Sequence, residues 1–201
     1  MKYSKEHKIG KKMILESDFS VKSVKTFMGR EGYGVNANIY YQNRKIGHII
    51  DSGNGGCLNI EYYIGNLPTY KWMSRNPDVD KFVSELPKYT WKWDKKDEPT
   101  QSQFDAEEMW NALCDDYLLK QDFKKAIKKI QILHDGKMFY FKSGNHPSRL
   151  DKTYFTKYKG ASTSAVTYRE ILQEKYEGCI ILNDLSEEDA YDLFKANVGR
   201  E

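Results

Sequence analysis

Hydrophobic and polar positions alternate most regularly between Tyr33 and Ile64. Val35, Ala37, Ile39 and Tyr41 fall on one side of an extended chain and Asn36, Asn38 and Tyr40 on the other, a period of two that a helix does not produce. Apolar character resumes over Ile46 to Ile50 after Gln42-Asn43-Arg44-Lys45. A two-residue turn at Asn43-Arg44 predicts Tyr41 opposite Ile46 and Ala37 opposite Ile50, with His48 on the face shared by Ile46 and Ile50. After Asp51-Ser52-Gly53-Asn54-Gly55-Gly56 the alternation returns at Leu58, Ile60, Tyr62 and Ile64. The pattern therefore predicts a meander of at least three strands.

Elsewhere the pattern is mixed. Ile14, Phe19, Val21 and Val24 suggest an extended segment over Met13 to Phe27, irregular where alternation slips and paired with the central hairpin. Residues 1–12 carry five lysines and little to bury, and read as a mobile basic tail. Gly65-Asn66-Leu67-Pro68 reads as a turn, followed by a linker holding Tyr70, Trp72 and Met73. Asn76-Pro77 starts a helix carrying Val79, Phe82, Val83 and Leu86, which Pro87 ends. Lys88 to Trp93 is either a strand or an exposed aromatic arm. Phe104 to Ile130 has a helical period, with a break allowed near Gln121-Asp122, and its acidic start and lysine-rich end follow the helix dipole. Asp135-Gly136 marks a hairpin, and residues 143–160 read as loop. A helix over Ser164 to Tyr176, a strand over Cys179 to Leu182 and a helix capped by Ser186 complete the chain. The expected class is α+β: an N-terminal antiparallel meander over 13–100, and a half over 101–201 with the long helix, a hairpin and a helix-strand-helix unit, either as two parts or as one domain.

Composition narrows the function classes. The 201 residues carry 32 basic and 29 acidic side chains, a net charge of +3 that by itself selects no partner. Three scattered cysteines, Cys57, Cys114 and Cys179, fit a reducing cytoplasm and free thiols. Neither a signal peptide nor a membrane-spanning run is read in the sequence. His7, His48, His134 and His146 show no metal-ligand spacing, Cys114 stands beside Asp115 and Asp116, and no nucleophile or paired-carboxylate signature is present. No cofactor is expected and the chain reads as a non-enzyme.

Two stretches remain as candidate binding residues. The first joins aromatic and basic side chains: Tyr89, Trp91, Lys92 and Trp93, with Lys120, Lys124, Lys125, Lys128 and Lys129 on the long helix and the lysines and tyrosines of 152–159. Such a surface suits a phosphate backbone and stacked bases, or a protein partner. The second is the loop of Asp51, Gly53, Asn54, Gly55 and Gly56. A phosphate cradle of this kind opens directly onto a helix, whereas here a strand follows, so a wide strand connection is favoured over a nucleotide or small-molecule site.

The segment Gly32 to Cys57, with Ile46-Gly47-His48 leading into the glycine loop, and the segment Lys175-Tyr176-Glu177-Gly178-Cys179-Ile180-Ile181-Leu182-Asn183-Asp184-Leu185 resemble patterns seen together in small proteins of phages and mobile elements in Firmicutes. The resemblance covers about a third of the chain and carries no functional residue. It implies an accessory protein, a group that includes inhibitors of host defence such as anti-CRISPR proteins. The expected function is thus binding, and inhibition, of a host defence or nucleic-acid-processing complex. The partner would be a host protein or ribonucleoprotein, with direct nucleic-acid contact as an alternative and the oligomeric state open.

Overall fold

The computed structural model describes residues 2–64, 71–94, 96–141, 146–156 and 164–198. The chain is α+β and divides into two units, Met1–Leu118 and Leu119–Glu201, so the boundary falls within the long helix rather than near residue 100. The expected turn at Gly65-Asn66-Leu67-Pro68, and Lys157, Tyr158 and Lys159, lie outside the described residues.

The first unit opens with β1 (Lys2–Tyr3) and α1 (Lys5–Leu15), correcting the expectation of a basic tail. Ser4 N–H donates to the Thr90 carbonyl at 2.9 Å, and α1 buries His7, Gly10 and Ile14. A histidine and a glycine do not register as a hydrophobic face, which is why the helix is hidden in the sequence. Gly10 is needed because the Phe104 ring lies where a Cβ would be, 2.2 Å away. His7 is stacked on Tyr3, with ring centroids 3.9 Å apart, and packs on Phe104.

The meander is β2 (Phe19–Met28), β3 (Tyr33–Tyr41), β4 (Arg44–Ile50), β5 (Asn59–Ile64) and β6 (Lys71–Met73), antiparallel and in that order. The strand β6 occupies what reads as linker. The β3–β4 turn falls on Gln42-Asn43, both at positive φ, one residue earlier than predicted. Tyr41 therefore faces Arg44, and Ala37 faces Ile49 rather than Ile50. The earlier turn alone would pair Ala37 with His48 and leave the faces as predicted; the extra residue Ile46 in β4 is what puts Ile49 on the core side and turns His48 and Ile50 to the opposite side.

The strand register breaks twice. In β2 the step lies between Lys22 and Lys25, where Ser23 has φ 55°; in the β3–β4 pair it lies between Ile39 and Tyr40, leaving Ile46 extra. Both behave as β-bulges.

Helix α2 (Pro77–Glu85) begins as expected, the Asn76 side chain accepting hydrogen bonds from the backbone of Asp78 and Val79. It is followed by β7 (Tyr89–Lys92), β8 (Thr100–Ser102) and α3 (Ala106–Ala126), an unbroken helix of 21 residues. The strands β1, β7 and β8 form a second sheet. One face of the meander supplies Phe19, Val21, Ala37, Ile39, Ile49 and Tyr62 to the core; Ile14 of α1, Val79 of α2 and Met109, Trp110 and Leu113 of α3 cover it. At its centre the Trp110 indole N–H donates to the Tyr62 hydroxyl at 2.8 Å, both side chains being fully buried. Burial pushes the Tyr62 phenol up to about 12.

In the second unit β9 (Gln131–His134) and β10 (Lys137–Tyr140) flank the predicted turn, with Asp135 and Gly136 both at positive φ. The hairpin of β11 (Thr153–Thr156) and β12 (Ser164–Thr167) takes the place of expected loop and of the first turn of the expected helix. Helix α4 (Tyr168–Lys175) starts later because Thr167 and Glu170 make a capping box. Then follow β13 (Ile180–Ile181), paired with β9, and α5 (Glu187–Asn197) behind its Ser186 cap. Asn183 donates to the carbonyls of Ile127 and Lys129 at 3.0 Å each and accepts from the Gln131 amide, closing the C-terminal turn that follows α3. Arg169 binds Asp151, its Nε 2.8 Å from Oδ1, and also Asp184, fixing the start of α4.

We expect Tyr62→Phe, which leaves the buried Trp110 indole without its acceptor, to cost about 1–3 kcal/mol in denaturant unfolding with the fold retained. Burial, and then Lys11, holds His7 below the ordinary histidine range. Its neutral form therefore stabilises the folded state fully above the unfolded pKa of about 6.5, and that contribution is lost as pH falls toward the lowered folded value. Comparing urea midpoints near neutrality and about one unit below pH 6.5, we expect the wild-type chain to lose more stability than His7→Phe.

Candidate functional site

The glycine loop is tied into its surroundings by its own polar groups. Asp51 Oδ1 accepts from the Gly53 amide at 2.9 Å, Asn54 Oδ1 from the Arg30 amide at 3.2 Å, and the Gly53 carbonyl from the Glu31 amide at 2.9 Å. A Cβ on Gly29 would lie 2.4 Å from the Gly53 carbonyl oxygen, and one on Gly34 would lie 2.4 Å from that of Asp51. Residues 29–34 and 51–56 thus pack backbone against backbone, and the glycines permit that approach. The Glu31 carboxylate reaches the Cβ position of Gly55, placing negative charge where a phosphate would come. Gly56 continues into the connection to β5 rather than opening directly onto a helix, as a phosphate cradle does.

The aromatic stretch is only partly a surface. Tyr89 is buried, and its hydroxyl donates to Glu108 Oε1 at 2.5 Å. Trp91 is half-buried, and its indole N–H donates to Ser102 Oγ at 2.9 Å. Trp93 is 68% exposed and meets Trp91 edge-on, while Lys92 is half-buried. These side chains belong to the first unit, and the lysines of α3 to the second.

Lys120, Lys124, Lys125, Lys128 and Lys129 are all exposed, but several are already engaged. Lys125 Nζ is 3.1 Å from Asp122, and Lys129 lies over the Tyr140 ring. Lys120 and Lys124 line an open groove of about 400 Å³ that also contains Phe123, Tyr191 and the carboxylates of Glu187 and Glu188. Their field toward a phosphate is therefore opposed locally.

The remaining surface is the outer face of the five-stranded sheet, opposite the helices. Strand register sets its rows. One row runs from Tyr40 on β3 to Lys45 on β4, with Tyr63 of β5 on the same side. The next runs through Lys22, Asn38, His48 and Glu61, and a third through Lys25, Asn36, Ile50 and Asn59. The Phe27 ring lies over Gly34 beyond them.

The bulges decide which residues appear here. Without the extra residue at Ser23-Val24, Lys25 would face the core; with it, Val24 turns inward and Lys25 joins Lys22 outside. The extra Ile46 likewise turns toward the core and leaves Lys45 outside with His48.

Electrostatically the face alternates rings and cations. Lys22 Nζ lies 4.5 Å from the Tyr40 ring centroid and Lys45 Nζ 5.4 Å from that of Tyr63. His48 shares a hydrogen bond of 3.2 Å with the Tyr63 hydroxyl and approaches Glu61 at 3.3 Å. Lys22, Lys25, Asn36, Lys45, Ile50 and Asn59 are exposed, so solvent reaches the face along all three rows.

Sequence reading missed this surface. Its signal was the polar side of the alternation, Asn36, Asn38 and Tyr40, together with the lysines of β2. One bulge breaks the period between Lys22 and Lys25, and a second, in β4, displaces Lys45.

Cys114 is buried, and burial with the neighbouring Asp115 pushes its thiol up to about 12, far from the reactive thiolate form. Among the described residues no three histidine, cysteine or carboxylate side chains are grouped to hold a metal, and no helix is long and apolar enough to cross a membrane.

If the two glycine loops pack as described, Gly29→Ala forces backbone apart and should lower stability by about 1–3 kcal/mol in denaturant melts, whereas an open loop would tolerate it. No family model, curated protein or solved structure matches the chain.

Proposed function

We propose that the chain is a binding protein rather than an enzyme, and that it engages a macromolecule through the outer face of the five-stranded sheet. The observation that carries this is the one-sided covering of the meander. Three helices pack on one face, while the other displays Tyr40, Tyr63, Phe27 and Ile50 among exposed lysines and asparagines. Half-exposed tyrosines, apolar in the ring and polar at the hydroxyl, are enriched at interaction surfaces, and here they alternate with lysines and asparagines.

The strain at Ser23 supports the same reading. A non-glycine residue at positive φ costs stability, and here its effect is to bring Lys25 to the outer face. The use of such binding that fits the resemblance to mobile-element proteins is capture and inhibition of a host defence or nucleic-acid-processing complex.

The test is site-specific photocrosslinking in a bacterial host. A photoreactive side chain at Lys25 or Asn36 should yield adducts with a macromolecule, protein or nucleic acid. The same group at Ser84, exposed on α2, should not. Adducts at neither outer position, or equally at Ser84, would contradict the proposal.

A further inference from the structure

We propose that the occupant of the outer face is a single-stranded nucleic acid, its bases stacked on Tyr40 and Tyr63 and its phosphates held by Lys22, Lys25 and Lys45. This rests on the reading of that face as a binding surface.

The first ground is spacing. Tyr40 is on β3 and Tyr63 on β5, two interstrand steps apart or about 10 Å, with Lys45 of the intervening strand on the same side. A ring, a cation and a second ring in succession match the repeat of a strand whose bases are splayed onto aromatic side chains while the backbone passes a positive charge.

The second ground is charge. The three lysines face the single carboxylate of Glu61 among the described residues of these rows, and that carboxylate is 3.3 Å from His48. Lys22 and Lys45 rest over the tyrosine rings. Both sit on flexible stems, so a base arriving at the ring displaces the ammonium group toward the adjoining phosphate.

The third ground is the remaining polar chemistry. Asn36, Asn38 and Asn59 each carry a donor pair and an acceptor, suited to the edges of unpaired bases. A protein partner fits less well, because interface cores are depleted of lysine and this face sets Lys45 between its two tyrosines. A duplex fits less well again, because its bases are already stacked and cannot lie on the rings.

The experiment is fluorescence anisotropy on the full chain with labelled oligothymidine, oligouridine and a mixed-sequence duplex of about 12 nucleotides. Each is titrated at about 50 and 200 mM salt. Three lysine–phosphate contacts give single-strand binding roughly 20-fold weaker at the higher salt. Tyr40→Ala should weaken binding by about tenfold at both salts with the salt slope kept. The triple substitution Lys22→Ala, Lys25→Ala, Lys45→Ala should abolish the slope, and Lys124→Ala with Lys128→Ala should change neither. Near-ultraviolet circular dichroism checks that each variant is folded, and the lysine variants, being exposed, serve if Tyr40→Ala is not.

The DNA and RNA arms decide which sugar is preferred, and binding of either supports the proposal. No binding at the lower salt, duplex bound as tightly as single strands, or binding lost only with Lys124 and Lys128 would each overturn it. Crosslinks from Lys25 and Asn36 to a protein, with no affinity for oligonucleotides, would overturn this inference while leaving the binding function standing.

Discussion

The contact on which the first unit depends is the buried hydrogen bond from the Trp110 indole to the Tyr62 hydroxyl. Each of these groups would be costly to bury alone, so the pair fixes α3 to β5 in one register and one orientation. Around it, Phe19 meets the Trp110 ring edge-on and also packs on Phe82 of α2, which ties the second helix to the same face. The helices are thereby committed to one side of the meander.

That commitment leaves the other side in water, and the consequences for function follow from register. A regular ladder carrying this sequence would put Lys25 and Lys45 toward the core, where unpaired ammonium groups are strongly disfavoured. Two bulges resolve the conflict by turning Val24 and Ile46 inward and the lysines outward. The same local irregularity that completes the hydrophobic core thus assembles a surface of alternating rings and cations. The lysine-rich end of α3 is arranged differently, with Asp122, Glu187 and Glu188 near its charges and Asn183 closing the carbonyls beyond it.

Much of the fold was legible where one face of an element is apolar and the other polar. The alternation of β3, the Asn76-Pro77 helix start, the Asp135-Gly136 hairpin and the Ser186 cap each carry a local signal tied to backbone geometry. What was not legible depended on pairing. The turn moved by one residue because Gln42 adopts positive φ beside Asn43, and the extra residue Ile46 in β4 then put Ile49 rather than Ile50 in the core. Helix α1 was hidden because its buried positions are a histidine and a glycine matched to the Phe104 ring. The outer face was hidden because its lysines come together only after two bulges. The residues chosen from sequence were conspicuous by composition, yet Tyr89 is core and several α3 lysines have acidic or aromatic neighbours.

The most direct measurement is a map of backbone amide shifts by nuclear magnetic resonance during titration with a short single-stranded oligonucleotide. Perturbations are expected to concentrate at Lys22, Lys25, Asn36, Asn38, Tyr40 and Lys45, with the amides of Lys120 to Lys129 unmoved. Perturbations centred on those α3 lysines, or none anywhere, would contradict binding through the outer face.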